Sequence, residues 1–373
     1  MLMTVGVLLM ICAGACGAQE VTAESPSIAD IQAAVDSLGG VGTVHVPAGE
    51  AEAVGTLTLP PGVSLIGAGM ESTKLFRGEQ TDINAGGAMI AVTGGEDAPD
   101  ELTQIAGLNL VGVTDPESAG WDAGIAVRDV SDFRIDHCRF EAFGAAAINV
   151  RGDATGVVDH CLFEDNFKPA INNMGYGVVV YGPGYWRDDL EPGGPGAVFI
   201  EDSEFIGSRH AVASNAGAWY VFRHNHVHEN AKTHAIDAHG HGYGSKVGTQ
   251  FVEVYENVVE APRTGSTAML FRGGGGVVFD NTIRDYSRGI GLTLDGDPKI
   301  DWTAPYPIDW QVHDFWLWDN TLDGEPVQPL INERSADYIK LDRDYRLEPM
   351  PGYEPYTHPH PLARGGPFDD VDG

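Results

Sequence analysis

Apolar and polar residues alternate along this chain in short bursts that recur in a fixed frame. One phrase reads GIAVRD at Gly124, AINVRG at Ala147, GVVVYG at Gly177, AVASNAG at Ala211, AIDAHG at Ala235, AMLFRGG at Ala268 and GLTLDG at Gly291. Alternation with a period of two is the mark of a strand with one buried face. A second phrase, offset from the first, reads DHCRF at Asp136, DHCLF at Asp159, EDSEF at Glu201, RHNHV at Arg223, YENVV at Tyr255, FDNTI at Phe279 and WDNTL at Trp318. Two short strands per rung with tight turns between them cannot bury an apolar face alone, so successive rungs must stack. The pattern predicts a solenoid of parallel strands.

Stacking turns aligned positions into columns, because strand residues alternate faces. The inward columns are Ile125, Ile148, Val178, Val212, Ile236, Met269, Leu292 and Val127, Val150, Val180, Ser214, Ala238, Phe271, Leu294. One outward column runs Arg128, Arg151, Tyr181, Asn215, His239, Arg272, Asp295, and another runs Ala126, Asn149, Val179, Ala213, Asp237, Leu270, Thr293. Tyr176, His210 and His234 form a third column at the strand entrance. In the second phrase the central residue runs Cys138, Cys161, Ser203, Asn225, Asn257, Asn281, Asn320, which predicts a ladder of asparagine amides bonded to one another and to the turn backbone.

Upstream, Ile28, Ile31, Val35 and Leu38 share one helical face, after Ser27 as a cap with Asp30 at its third position, and before Gly39-Gly40 as a stop. This predicts a capping helix over 27–38, ahead of strand-turn units at Thr43, Thr56, Thr73, Ala88 and Leu108. With these units and both phrases, the chain resembles the pectin lyase-like right-handed β-helix superfamily over roughly Ser27 to Gly324. The expected architecture is all-β: a single right-handed parallel β-helix over 27–325, with an irregular tail over 326–373 packed along it. Two insertions interrupt the repeat. Gly182 to Gly196 carries Tyr185 and Trp186, and Asp295 to Val312 carries Trp302, Tyr306 and Trp310. Such loops crowd one face of a solenoid and shape a cleft. Trp186 is therefore a candidate for stacking on a sugar ring, with packing on the next rung as the alternative.

Composition narrows the partners. With 54 acidic and 22 basic residues the net charge is -32, which argues against nucleic acid or an anionic membrane. Residues Val5 to Ala18 form an apolar run ending in small residues, which predicts a secretory signal over 1–18 and export or periplasmic residence, with lipid anchoring at Cys16 less favoured. The run is too short to span a bilayer, so no membrane insertion of the mature chain is expected. Cys12 and Cys16 fall in that segment. Cys138 and Cys161 stand one rung apart with parallel Cβ directions, which favours buried thiols over a disulfide.

The chemistry concentrates between Arg151 and Arg272. Three arginines in one column of so acidic a chain favour an anionic ligand, since guanidinium pairs carboxylates bidentately. The densest patch is HAIDAHGHGY from His234. His234, Asp237 and His239 have the spacing of the Tyr-Gly-Phe-Asp-Pro-His signature of mannuronan epimerases, with His234 in the tyrosine position and Ala238 in the proline position. The resemblance implies acid/base roles on a uronate for these three residues. Removing the proton beside a uronate carboxylate requires a neutralised carboxylate, a base near pH 7 and a proton donor. Arg272 or Arg151 is the expected neutraliser, His239 the base, His234 or Tyr181 the donor, and Asp237 the orienting group. Asn215, His210 and Tyr176 complete the expected binding strip with Arg151 and Trp186.

These residues point to a secreted monomer acting on an acidic polysaccharide, with β-elimination by a lyase as the leading reading. A uronate epimerase is the first alternative. A hydrolase is the second, because Asp188-Asp189 and Gly240-His241-Gly242 look like two motifs of polygalacturonases, although their Asn-Thr-Asp and Arg-Ile-Lys motifs are missing. A non-catalytic glycan-binding surface is the third. A transition metal held by His224, His226 and His228 with His239 and His241 is a further reading of the histidines. Calcium bound through acidic side chains of the cleft is the favoured cation, although no loop spells a calcium motif.

Overall fold

The computed structural model describes residues 19–78, 87–115, 117, 120–228, 234–240, 247–261, 266–295 and 311–369. The expected signal segment, His241, and Trp302, Tyr306 and Trp310 lie outside them. The chain winds as a right-handed parallel β-helix with three sheets, whose described strands number twelve, eleven and ten and are parallel except for the terminal Glu325–Pro326, which pairs antiparallel with Thr321–Leu322. A rung therefore has three strands, not the two that the phrases suggested. Phe133–Asp136 lies in the first sheet, Arg139–Glu141 in the second and Ala146–Arg151 in the third. The second phrase straddles a corner. Asp136 ends one strand and Arg139 begins the next, and three residues are too few to display a period of their own.

At that corner the residue before the ladder position is left-handed on each of the seven rungs that carry the second phrase: φ is 48 at His137, 50 at His160, 49 at Asp202, 54 at His224, 56 at Glu256, 51 at Asp280 and 51 at Asp319. This sharp turn points the following residue into the coil. Asn257 Oδ1 accepts from Asn225 N at 3.0 Å and Asn225 Nδ2 at 3.2 Å, and Asn257 Nδ2 donates to Asn281 Oδ1 at 2.9 Å. Asn281 Nδ2 in turn donates to Asn320 Oδ1 at 2.8 Å. Ser203 N extends the ladder to Asn225 Oδ1, and Cys138 and Cys161 end it as free, buried thiols.

The apolar columns fill the interior from Val44 to Leu317. Both ends of the predicted coil extend further than the repeat suggested. A strand at Gln19–Thr22 pairs with Gly42–His45 ahead of the capping helix. After Pro326, Leu330–Ile331 and Tyr345–Arg346 add a partial rung. The helix Ile28–Leu38 closes the first end, with Ser27 accepting from Asp30 N and Gly39 left-handed at φ 65. The last aligned rung is displaced by two residues: Met269 pairs with Ile290 and Phe271 with Leu292, where the alignment had Leu292 and Leu294. An even displacement keeps each side chain on its face, so Leu292 and Leu294 remain buried.

Residues 350–369 run back over the outer face of the first sheet. Buried Arg223 bonds Glu201 at 2.7 Å and the carbonyls of Tyr356 and Thr357 at 2.6 and 2.9 Å. Glu253 accepts from Trp219 Nε1 and from the Tyr353 hydroxyl. Arg134 joins Asp159 to Asp369 at 2.8 Å each. These contacts leave the outer face of the third sheet as the place for the predicted strip. No helix among the described residues is long and apolar enough to cross a membrane.

Candidate functional site

The strand Ile236–Ala238 buries Ile236 and Ala238 inward and turns Asp237 outward, between Ala213 and Leu270 of the neighbouring strands. Asp237 is nonetheless fully buried, because longer side chains close over it. Its Oδ2 lies 2.6 Å from Arg272 Nη2 and 3.0 Å from His239 Nε2, and its Oδ1 lies 3.2 Å from His234 Nε2. Burial alone would raise this carboxyl, but Arg272, His239 and His234 together outweigh it and hold the group well below the usual carboxylate range. Asp237 is a fixed anion around which three cationic or titratable groups are arranged.

His239 feels opposing forces. Burial favours the neutral ring, yet Asp237 prevails and raises its pKa above the ordinary 6.5. Its Nε2 is also 2.7 Å from Arg272 Nη2. Because a guanidinium only donates, neutral His239 accepts from Arg272, whereas protonated His239 donates to Asp237. The imidazole thus has a stable arrangement in both charge states. Asp295 completes the group, 3.4 Å from His239 Nδ1 and 3.5 Å from Arg272 Nη1.

The entrance column is a stack of rings. Tyr176 and His210 lie 5.3 Å apart and His210 and His234 4.5 Å apart. His210, expected to touch a ligand, is 1% exposed. It donates from Nδ1 to the His234 carbonyl and accepts at Nε2 from Arg209 Nε at 3.3 Å, which fixes it as a neutral ring. Burial drives its pKa well below 6.5, in accord with that tautomer. Its part is to seat His234. Asn215 is likewise committed to the turn, accepting from Ala216 N at 2.7 Å.

Above these residues opens a cleft of about 460 Å³ whose lining includes Tyr176, Tyr181, Arg209, His234, His239 and Arg272. A smaller hollow of about 150 Å³ continues past Tyr176 and Tyr181 to Asn149 and Arg151. The Arg151 guanidinium stacks over the Tyr181 ring at 4.6 Å. Burial pushes Tyr176 up to about 12 and raises Tyr181, so both phenols keep their protons at neutral pH. Eight of the ten predicted residues, from Arg151 to Arg272, therefore gather along one groove with His210 beneath it; the ninth, Asp237, forms its floor.

Trp186 does not join them. Its Nε1 donates to the Gly248 carbonyl at 3.1 Å and its ring packs against His313 at 5.2 Å, so the loop tryptophan anchors to neighbouring rungs. Asp188 and Asp189 are exposed on the same loop and do not line the cleft. His224, His226 and His228 belong to the edge and face of the second sheet and pair with Glu256, Glu260 and Glu204, while His239 belongs to the third, so these three share no metal site with His239. Four lining residues lie outside the aligned columns and were not foreseen: Trp121, Asn172, Met174 and Arg209. Arg209 carries one sequence signal, its place directly before the His210 column. Trp121 and Met174 lie in connecting segments without periodicity. The described carboxylates beneath and beside the cleft are engaged by the protein's own cation: Asp237 is paired with Arg272, and Asp295 lies beside that same arginine.

The right handed beta helix region family matches residues 120–252. No curated protein matches the sequence. Among solved structures, a mannuronic acid specific polysaccharide family 6 lyase from human gut microbiota is similar at 14% identity and TM-score 0.51, covering 88% of this chain and 79% of that one. The endo-xylogalacturonan hydrolase of Aspergillus tubingensis is similar at 13% identity and TM-score 0.52, covering 88% of each chain. The ORF18 protein of Geobacillus virus E2 is similar at 12% identity and TM-score 0.49, and the match spans 56% of its length. At these identities the likeness is one of fold.

Proposed function

We propose that this chain acts on a uronate-containing polysaccharide by removing the proton beside the sugar carboxylate, most simply as a lyase. The observation that carries this reading is the grouping of His239, His234 and Arg272 around buried Asp237 at the floor of an aromatic cleft. In the proposed step the base takes the proton from the carbon bearing the carboxylate, and its electron pair forms a double bond to the neighbouring carbon. The bond from that carbon to the glycosidic oxygen then breaks, and the oxygen takes a proton from the donor. His239 serves as base, since Arg272 supports its neutral form and Asp237 its protonated form. His234 or Tyr181 serves as donor. Arg272, with Arg209 and Arg151 further along the groove, offers charge to the carboxylates of successive sugars. If the proton returns to the opposite face of the carbon instead, the same groups perform epimerisation.

Hydrolysis fits less well. It needs two carboxyl groups facing the scissile bond, one of them protonated. Asp237 is covered and held ionised, and Asp188 and Asp189 lie away from the cleft. The reading is tested by incubating the protein with alginate, pectate, hyaluronan and chondroitin, with and without calcium, and following the ultraviolet absorbance of the unsaturated product. A rise that His239→Ala abolishes supports the lyase, and altered anomeric proton signals without a rise support the epimerase. A polymer unchanged in every condition leaves only binding.

A further inference from the structure

A different face of the coil carries a second constellation. The strand His226–His228 of the second sheet places two imidazoles two residues apart, so both project outward while Val227 is buried between them. Their rings lie nearly parallel, 4.7 Å apart at 27°. Glu204, on the preceding rung, is paired in register with His226, and its Oε1 lies 2.8 Å from His228 Nε2. One nitrogen from each histidine and one oxygen of Glu204 all fall within 4.8 Å of one another. From the following rung, Glu260 Oε2 stands 3.4 Å from His226 Nε2.

We propose that Glu204, His226 and His228 form a binding site for a divalent transition metal of the zinc class, which ties two successive rungs together. Each imidazole offers a ring nitrogen, and Glu204 a carboxylate oxygen, on one partly exposed face of the coil. Two nitrogens and a carboxylate oxygen are a donor set that zinc takes with a fourth position left to water, whereas calcium requires a shell of oxygens. In tetrahedral coordination with bonds of about 2.0–2.2 Å, ligand atoms stand about 3.3–3.6 Å apart. Rotation of these partly exposed side chains brings the atoms to that spacing. Other clusters of the kind are already organised around the protein's own cations: Arg134 lies between Asp136 and Asp369, and Arg223 lies on Glu201. Because the ligands come from two rungs, metal that binds the folded coil and not the unfolded chain stabilises it, by an amount that grows with the logarithm of free metal above the dissociation constant.

The test is calorimetric titration of zinc chloride into the metal-stripped whole chain at neutral pH, beside thermal melts with and without zinc. Wild type is expected to bind one equivalent that His228→Gln weakens about tenfold or more, and its Tm is expected to rise with zinc. The double variant His226→Gln/His228→Gln is expected to lose both that equivalent and the rise, while any binding by the cleft histidines persists. Should the variants melt early without metal, cobalt(II) added to wild type gives an independent reading, with the intense visible bands of a four-coordinate ion expected. Equal zinc affinity and equal Tm gain in wild type and the double variant, or a six-coordinate cobalt spectrum, overturns the proposal.

Discussion

At the scale of single residues, Asp237 organises the site. Its carboxylate holds Arg272 at 2.6 Å and His239 at 3.0 Å, so Asp237→Asn removes the charge that orders both. Activity on a uronate polymer is expected to fall by about 10²–10⁴. The same substitution lowers the His239 pKa, because burial then acts without its counterweight. An NMR titration of the His239 ring checks this, with the midpoint expected to move toward acid; an unmoved midpoint would separate His239 from Asp237. The effect on folding has a definite sign. The raised His239 pKa contributes stability that is present below about 6.5 and lost as pH rises through the folded value. The lowered Asp237 pKa contributes stability present above about 3.8 and lost as pH falls through its own folded value. Alternation alone located Asp237, His239 and Arg272, because a strand leaves only two choices of face. It could not reveal that His210 is buried and Arg209 lines the cleft, since His210 is the first residue of its strand and Arg209 stands just before it, where alternation is not yet established. Trp186 follows the packing alternative that the sequence left open, because a loop residue has no periodic frame and its anchors, Gly248 and His313, come from rungs far along the chain.

At the scale of elements, the ladder is what holds the corners together. Asn257 bonds Asn225, Asn281 and the carbonyls of Phe222 and Tyr255 without exposure to water. Asn257→Ala strands several buried groups at once and is expected to cost about 3 kcal/mol of stability, measured by urea unfolding. A loss below about 0.5 kcal/mol would mean that the ladder is ornamental. The ladder was visible in the sequence because its residues recur in one frame. The third strand of each rung was not, because strands such as Arg139–Glu141 are three residues long and show no period. The register displacement at Met269 and Ile290 was invisible too, since a shift of two residues preserves the pattern of faces.

At the scale of the whole molecule, the tail and the cleft divide the surface between them. The tail covers the first sheet through Arg223, Glu253 and Arg134, and the third sheet remains open to a polymer. Arg223→Ala leaves Glu201 buried without its partner and releases two tail carbonyls, for an expected loss of about 3–5 kcal/mol in urea unfolding. Activity per folded molecule should stay near wild type, because Arg223 and the cleft lie on different sheets; a comparable loss of turnover in the folded protein would join the two faces. The role proposed for the groups around Asp237 is removal of the proton from the carbon that bears a sugar carboxylate. It is tested most directly by incubating the protein with a polyuronate in deuterated water and following that proton by NMR. The account predicts that wild type erases the signal, by unsaturation or by exchange for deuterium, and that His239→Ala preserves it. An intact signal in a polymer that wild type nevertheless shortens would contradict the account and establish hydrolysis.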